Sequence, residues 1–367
     1  MNTKRTGILT LSSAQNYGAV LQSFSLMRFI QDNYGDTEII DFTPSFILGR
    51  YSLIRIENTS ITSAVFSFIK GIIKLPIPLL TRIRFECFKK KYCSFSEKKY
   101  VKVIKEDLYD QYIVGSDQVF NLSLTSNDTT FFLPFVTDAR KKATYAASLG
   151  LDNVSKEQEA IYRNGLEGFT NISIRENSGA NIIRKILPEK QVLFHIDPVF
   201  LHDKKFWSDI AYSYKTRGKY VLIYSLANEA VMKSVKTAKE NYPDYRIYII
   251  SDSVSKADPD INNIRGVGPR QFLGLIRDAE CVITNSFHGC AFSIIFEKDF
   301  FVIPFRNTSS RMVNLLELLG LEDRLLKTYL SIRKEKIDYV TVRERIQSEI
   351  DRSRDYFNSI YITSEGK

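Results

Sequence analysis

The residues best suited to chemistry lie in Val282-Ile-Thr-Asn-Ser-Phe-His-Gly-Cys-Ala-Phe-Ser293. A β-rich run ends at Thr284, Asn285 or Ser286 can cap the next helix, and Phe287, His288 and Gly289 fall in its first turn. Free backbone N–H groups and the positive dipole end favour an anion there, and a glycine lets a ligand approach the backbone. His288 would then stand beside a bound phosphate. The same spacing also fits a first-turn histidine packed for structural reasons. Ser173-Ile-Arg-Glu176 places Arg175 at the end of another apolar run, where its guanidinium offers a fork to a carboxylate or phosphate; pairing with the adjacent Glu176 is the plainer alternative. Ile113-Val-Gly-Ser-Asp-Gln-Val-Phe120 ends a strand on a polar turn, where Asp117 and Gln118 could bind sugar hydroxyls, Asp117 could act as a base, or Asp117 could simply cap the turn. Ala14-Gln-Asn-Tyr-Gly-Ala19, with Asn16, Tyr17 and Gly18, is shaped like a dinucleotide loop but lacks GxGxxG, which disfavours nicotinamide binding. Arg311 follows Ser309-Ser310 past the last strand and could add positive charge. His195-Ile-Asp-Pro198 reads as a strand end, with Asp197 before proline a turn former in a structural role.

Such residues need elements that bring strand ends together. Apolar, β-rich runs at Gly7–Leu11, Glu38–Phe42, Gln111–Val114, Ala143–Ala147, Asn171–Ile174 and Val192–Ile196 alternate with helical patterns, the signature of βαβ units and a parallel sheet. Val20, Leu21, Phe24, Met27 and Ile30 give a helix over Ala19–Asp32 after a polar turn from Ser12 to Gly18. The second half repeats the logic with strands at Tyr220–Tyr224, Arg246–Ile250, Ile264–Val267, Cys281–Thr284 and Phe301–Ile303. Helices are expected at Glu229–Asn241, from Pro269 to Asp278 and at Phe287–Phe296. The pattern predicts an α/β fold of two Rossmann-like, doubly wound parallel-sheet domains, residues 1–212 and 216–335, joined near Ala211–Gly218. A terminal helix within 336–367 packs back on the body. Facing sheets put their carboxyl ends around a shared cleft, where ligands bind.

The 367 residues suit two such domains, with 44% hydrophobic and 25% charged residues arguing against a disordered or coiled-coil chain. The four cysteines, Cys87, Cys93, Cys281 and Cys290, show neither CxxC nor zinc spacing and are read as reduced cytoplasmic thiols. No signal-peptide pattern follows Met1, and Lys70, Lys74, Pro76 and Pro78 interrupt the longest apolar stretch, Ile61–Leu80, against a spanning helix. HExxH, GxSxG, Walker A and EF-hand patterns are missing, which removes most metalloprotease, serine-hydrolase and P-loop readings. A net charge of +9 suggests nucleic-acid binding until it is located. Residues 70–105 hold 11 Lys/Arg against 2 Asp/Glu, and the rest of the chain is balanced. Apolar Val65, Phe66, Ile69, Ile72, Ile73, Phe85 and Phe88 interleave with these charges. This insertion, about 45–105, suits an anionic membrane surface through residues 61–105, or a helical hairpin with a solvated basic face, better than a nucleic acid.

Taken in order, Asn16-Tyr-Gly-Ala19, Gly115-Ser-Asp-Gln118, Ser173-Ile-Arg-Glu176, Asp197-Pro198 and Ser286-Phe-His-Gly289 resemble the polysaccharide pyruvyl transferase family over nearly the whole chain. The resemblance implies a GT-B-like fold and transfer of pyruvate from phosphoenolpyruvate to two hydroxyls of a sugar as a cyclic ketal, with phosphate released. It places His288 and Arg175 at the donor site. His288 is then expected as general acid, with Asn285, Ser286, Phe287, Gly289 and Arg311 around the donor. Asn16, Tyr17, Gly18, Asp117 and Gln118 are expected on the acceptor side, with Asp117 as acceptor ligand or base. No cofactor is expected. The acceptor would be a capsule or exopolysaccharide sugar or a lipid-linked oligosaccharide, reached from the cytoplasmic face of the membrane. The competing readings are a GT-B glycosyltransferase using a nucleotide sugar and a non-catalytic glycan-binding protein.

Overall fold

The computed structural model describes residues 4–44, 46–47, 76–97, 99–100, 104, 107–226, 228–250, 261–303, 310–326 and 335–361. The stretch 48–75 of the insertion, with Val65 to Ile73, and Ser309 lie outside the described residues. In chain order, the first half contains β1 (Thr6–Leu9), α1 (Tyr17–Asn33), β2 (Thr37–Ile39), α2 (Pro76–Tyr92), β3 (Gln111–Val114), α3 (Leu122–Thr125), β4 (Lys142–Thr144), α4 (Lys156–Leu166), β5 (Ile172–Ile174), α5 (Asn177–Ile186), β6 (Val192–Phe194) and α6 (Lys204–Ile210). The second half continues with β7 (Tyr220–Tyr224), α7 (Asn228–Asn241), β8 (Arg246–Ile250), β9 (Ile261–Ile264), α8 (Pro269–Arg277), β10 (Cys281–Thr284), α9 (Phe287–Ile295), β11 (Asp299–Val302), α10 (Ser310–Leu319) and α11 (Tyr339–Tyr361).

All strand pairs among the described residues are parallel. The first sheet runs β2-β1-β3-β4, and the pair β5-β6 continues it through bridges from Ala143 to Asn171 and from Ala147 to Ile174. The second runs β11-β10-β7-β8-β9. Each order reverses once, between β1 and β3 and between β7 and β10, and such reversals open a crevice at the carboxyl ends of the strands. Thr10 and Ser116 line the first, where the Thr10 hydroxyl donates to the Ser116 carbonyl at 3.1 Å. Leu226 and Asn285 line the second, where the Asn285 side-chain oxygen accepts from the Leu226 amide at 2.9 Å. Two Rossmann-like units facing one another in this way are the GT-B arrangement.

Several expected elements shift by a few residues, three of them for visible reasons. β9 occupies Ile261–Ile264 rather than Ile264–Val267, because Ile261 to Ile264 register with Ile247 to Ile250 of β8. β11 starts at Asp299, opposite Cys281, rather than at Phe301. The first helix begins at Tyr17 rather than Ala19, because the Asn16 side chain caps it by accepting from the Ala19 amide at 3.1 Å.

One apolar cluster runs through both units. Phe24 of α1 and Phe292 of α9 both pack edge-on against buried Trp207 of α6, with centroids 5.9 and 5.0 Å away. The chain then returns from the second unit as α11, which packs on the first. Phe357 is fully buried against Phe29, Tyr34 and Tyr145, and the Tyr361 hydroxyl lies 2.8 Å from that of Thr6. His195 is closed in by this helix, 4.6 Å from the Tyr356 ring with Nδ1 2.8 Å from the Ser173 hydroxyl. Burial, with the Arg352 charge, pushes His195 down to about 4, so at neutral pH it is an uncharged core residue.

Candidate functional site

Four strand ends meet where the two units face each other. From the first come Ser116 and Asp117 after β3, Arg175 after β5, and Asp197 after β6. From the second come Phe287 and His288 in the first turn of α9, and Arg311 in the first turn of α10.

Arg175 is the centre of this cluster, with a side chain only 2% exposed. Its Nη1 donates to the fully buried carboxylate of Asp197, its Nη2 lies 3.7 Å from Asp117 Oδ1, and its guanidinium lies over the Phe287 ring at 4.6 Å. Burial would lower the arginine's pKa, but Asp197, Asp117 and Glu176 outweigh it and hold the charge more firmly. Burial would likewise raise Asp197, yet Arg175, His288 and the Val199 amide hold its carboxyl well below the usual carboxylate range. His288 Nε2 lies 3.6 Å from the same Asp197 oxygen. One carboxylate therefore faces both the guanidinium of the first unit and the imidazole of the second. Glu176 is not the arginine's direct partner: its Oε1 accepts from the amides of Leu149 and Gly150 at 2.8 and 3.0 Å.

Several buried donors end here unused. Arg175 Nε and Nη2, His288 Nε2 and Arg311 Nε are shielded from water without hydrogen-bond partners among the described residues. Burial, and next the like charge of Arg175, push the Arg311 pKa down. An unsatisfied buried donor costs about 1–3 kcal/mol, so four in one place mark a site shaped for something other than its own stability. No cluster of three His, Cys, Asp or Glu among the described residues is placed to hold a metal ion.

The remaining sequence candidates are placed as follows. Ser286 caps α9, accepting from the Gly289 amide at 3.4 Å. The close approach that Gly289 permits is to its own sheet: a Cβ there would lie 2.4 Å from Thr284 Oγ1, so the glycine packs helix on strand rather than admitting a ligand. Asn285 ties the two loops at the second sheet's reversal. Asp117 sits at φ 69° with its Oδ1 accepting from the Gln118 amide, and Gln118 accepts from Asn121 at 2.8 Å. Tyr17 is an interdomain contact: its ring stacks on Phe272 at 4.4 Å and its hydroxyl donates to the Val267 carbonyl at 3.1 Å.

Beside it, Gly18 meets His288 across the domain boundary. A methyl at Gly18 would lie 1.9 Å from His288 Nδ1, so only glycine lets α1 close on the imidazole. Gly18→Ala is expected to force the two apart and lower stability by ~1–3 kcal/mol, the usual range for overpacking. A melting temperature equal to that of the unaltered protein would show that the ring swings aside freely.

Sequence reasoning passed over Asp197, whose Asp-Pro context reads locally as a turn, and this signal is real: its Oδ1 caps the next turn by accepting from the Val199 amide at 3.1 Å. Only the fold brings its other oxygen to Arg175 and His288.

A two-domain scaffold of GT-B type with a buried cationic site between its units is the class that fold and site define. Within it, the family profile of polysaccharide pyruvyl transferases matches residues 16–306, most of the chain, and the protein belongs to that family. No curated protein matches in sequence. Similar solved structures include the UDP-GlcNAc 2-epimerase from Neisseria meningitidis bound to UDP-GlcNAc, at 12% identity and TM-score 0.48, covering 97% of this chain and 93% of that one. The UDP-GlcNAc 2-epimerase from Methanocaldococcus jannaschii gives 13% and 0.49, with 95% and 92% covered. The E. coli heptosyltransferase WaaC with ADP gives 10% and 0.38, with 94% and 99% covered.

Proposed function

We propose that this transferase moves pyruvate from phosphoenolpyruvate onto two hydroxyls of a sugar in a polysaccharide or glycan precursor, forming a cyclic ketal. The observation that carries the reading is the group of unpartnered buried donors on Arg175, His288 and Arg311 beside the N-terminus of α9. A small donor bearing both a phosphate and a carboxylate supplies the acceptors such a group lacks. Family membership supplies the reaction class.

In this reading Arg175 and Arg311 hold the donor's anionic groups, and Phe287 and Asp197 fix the arginine between them. His288 gives its proton to the methylene carbon of phosphoenolpyruvate, leaving cationic character on the adjacent carbon, where one sugar hydroxyl adds and sheds its proton. The carbon–oxygen bond to phosphate then breaks, the phosphate leaves with its electron pair, and the second hydroxyl closes the ketal as its proton passes to the departing phosphate. In the same reading Asp117, partly exposed beside Arg175, accepts the first hydroxyl's proton. The protein works without a resident cofactor, and the acceptor is a sugar or a lipid-linked oligosaccharide presented on the cytoplasmic side.

Thermal melting separates this from a glycosyltransferase reading. At 100 times its dissociation constant a ligand that binds only the folded state stabilises by ~2.7 kcal/mol. Phosphoenolpyruvate is expected to raise the melting temperature while UDP- and GDP-sugars leave it unchanged. The reverse result rejects pyruvyl transfer, and acceptor gaining the mass of pyruvate less water establishes it.

A further inference from the structure

Helix α2 lies at the edge of both units and beside the site. Its inner face is apolar: Phe85 and Phe88 are buried, Phe85 packs on Tyr17 at 5.3 Å, and Phe88 packs on Phe24 at 5.6 Å. Arg84 Nη1 donates to the Gly266 carbonyl of the second unit at 2.6 Å, so the helix spans the two units. Tyr17 is followed by Gly18, which lies against His288. One layer of side chains therefore separates α2 from the imidazole.

The rest of the helix surface is largely open. Leu79, Leu80 and Ile83 are 41, 41 and 49% exposed, and Arg82, Lys90 and Lys91 are exposed. At 100° per residue, Leu79, Ile83 and Lys90 fall opposite Phe85 and Phe88, while Arg82, Leu80 and Lys91 flank that face, Leu80 lying beside Gly266 of the second unit. Lys89 pairs with Glu86, but none of Arg82, Lys90 and Lys91 has an acidic partner among the described residues. Pro76 and Pro78 fit the first turn, where no helical N–H is lost. No helix among the described residues is long and apolar enough to cross a membrane.

We propose that the outer face of α2 docks the protein on an anionic lipid bilayer. Charge complementarity selects this occupant: α2 lies within the one segment that carries the chain's whole positive excess. Leucine and isoleucine beside unpaired cations suit the boundary between acyl chains and phosphate headgroups. Docked in this way, α2 would leave one helix diameter, ~10 Å, and one layer of side chains between the site and the lipid surface, where a lipid-linked sugar would be presented.

Co-sedimentation of the full chain with vesicles of 30% phosphatidylglycerol in phosphatidylcholine tests the docking, independently of any pyruvyl transfer. Binding is expected with these vesicles and to be at least tenfold weaker with pure phosphatidylcholine or in 0.5 M salt, which screens exposed charges. Arg82→Glu, Lys90→Glu and Lys91→Glu combined, and separately Leu79→Ser with Ile83→Ser, are each expected to weaken binding at least tenfold with melting temperature unchanged. All five positions are exposed, so folding is not at stake. Wild-type protein that stays in the supernatant, or either variant sedimenting like wild type, would overturn the proposal.

Discussion

Asp197→Ala is expected to lower stability by ~3–5 kcal/mol, because it leaves the Arg175 guanidinium buried without its main counter-charge. For a unit of about 200 residues that is a fall of ~6–20 °C in melting temperature. Asp117, 3.7 Å from Nη2, remains, but it is partly exposed and cannot replace a fully buried partner. The sign of the pH dependence follows from the lowered Asp197 pKa. The stabilisation is present above the unfolded carboxylate pKa and disappears as the pH falls through the lower folded value. The difference between wild type and Asp197→Ala should therefore narrow in strong acid. Melting curves at pH 7 within ~1 kcal/mol of wild type would show that Arg175 is stabilised by something other than this pair.

His288→Gln is expected to reduce phosphate release from phosphoenolpyruvate, measured with a glycan acceptor, by ~10²–10⁴-fold, the usual contribution of a positioned acid. The imidazole is held by Gly18 on one side and faces Asp197 on the other, and glutamine fills much of the same space without supplying a proton. Melting temperature should change little, since His288 Nε2 makes no hydrogen bond that the fold depends on. Full phosphate release by the variant would refute the acid role while leaving the anion site intact. Loss of phosphoenolpyruvate binding instead of turnover would move His288 from proton donor to donor ligand.

The parts of the fold legible in the sequence are those set by local pattern. β3, β7, β8 and β10 match their expected bounds because each has a centre of Val, Ile, Leu or Tyr close to turn residues. β9 was misplaced because Ile261-Asn-Asn-Ile264 is half polar and becomes a strand through pairing with β8. Motif residues at strand ends were legible for the same local reason, since a strand followed by a capped helix has a definite signature. What escaped was long-range. Tyr17 read as a loop residue until the fold brought Phe272 beneath it, and Asp197 read as a turn residue until Arg175 and His288 closed on it. The roles of α2 in joining two units and of Gly18 in admitting a histidine are likewise properties of the assembled pair.

The return of α11 to the first unit has a consequence for biosynthesis. Tyr356 and Phe357 complete the core around Tyr145 and His195, and Tyr361 meets β1 at Thr6, the opposite end of the chain. Domains emerging from the ribosome ordinarily fold in order of synthesis. Here the first-made unit carries an apolar gap until the later-made α11 arrives, so its completion is deferred while the second unit is translated. Emergence of α11, rather than emergence of the first domain, is the event that closes the core.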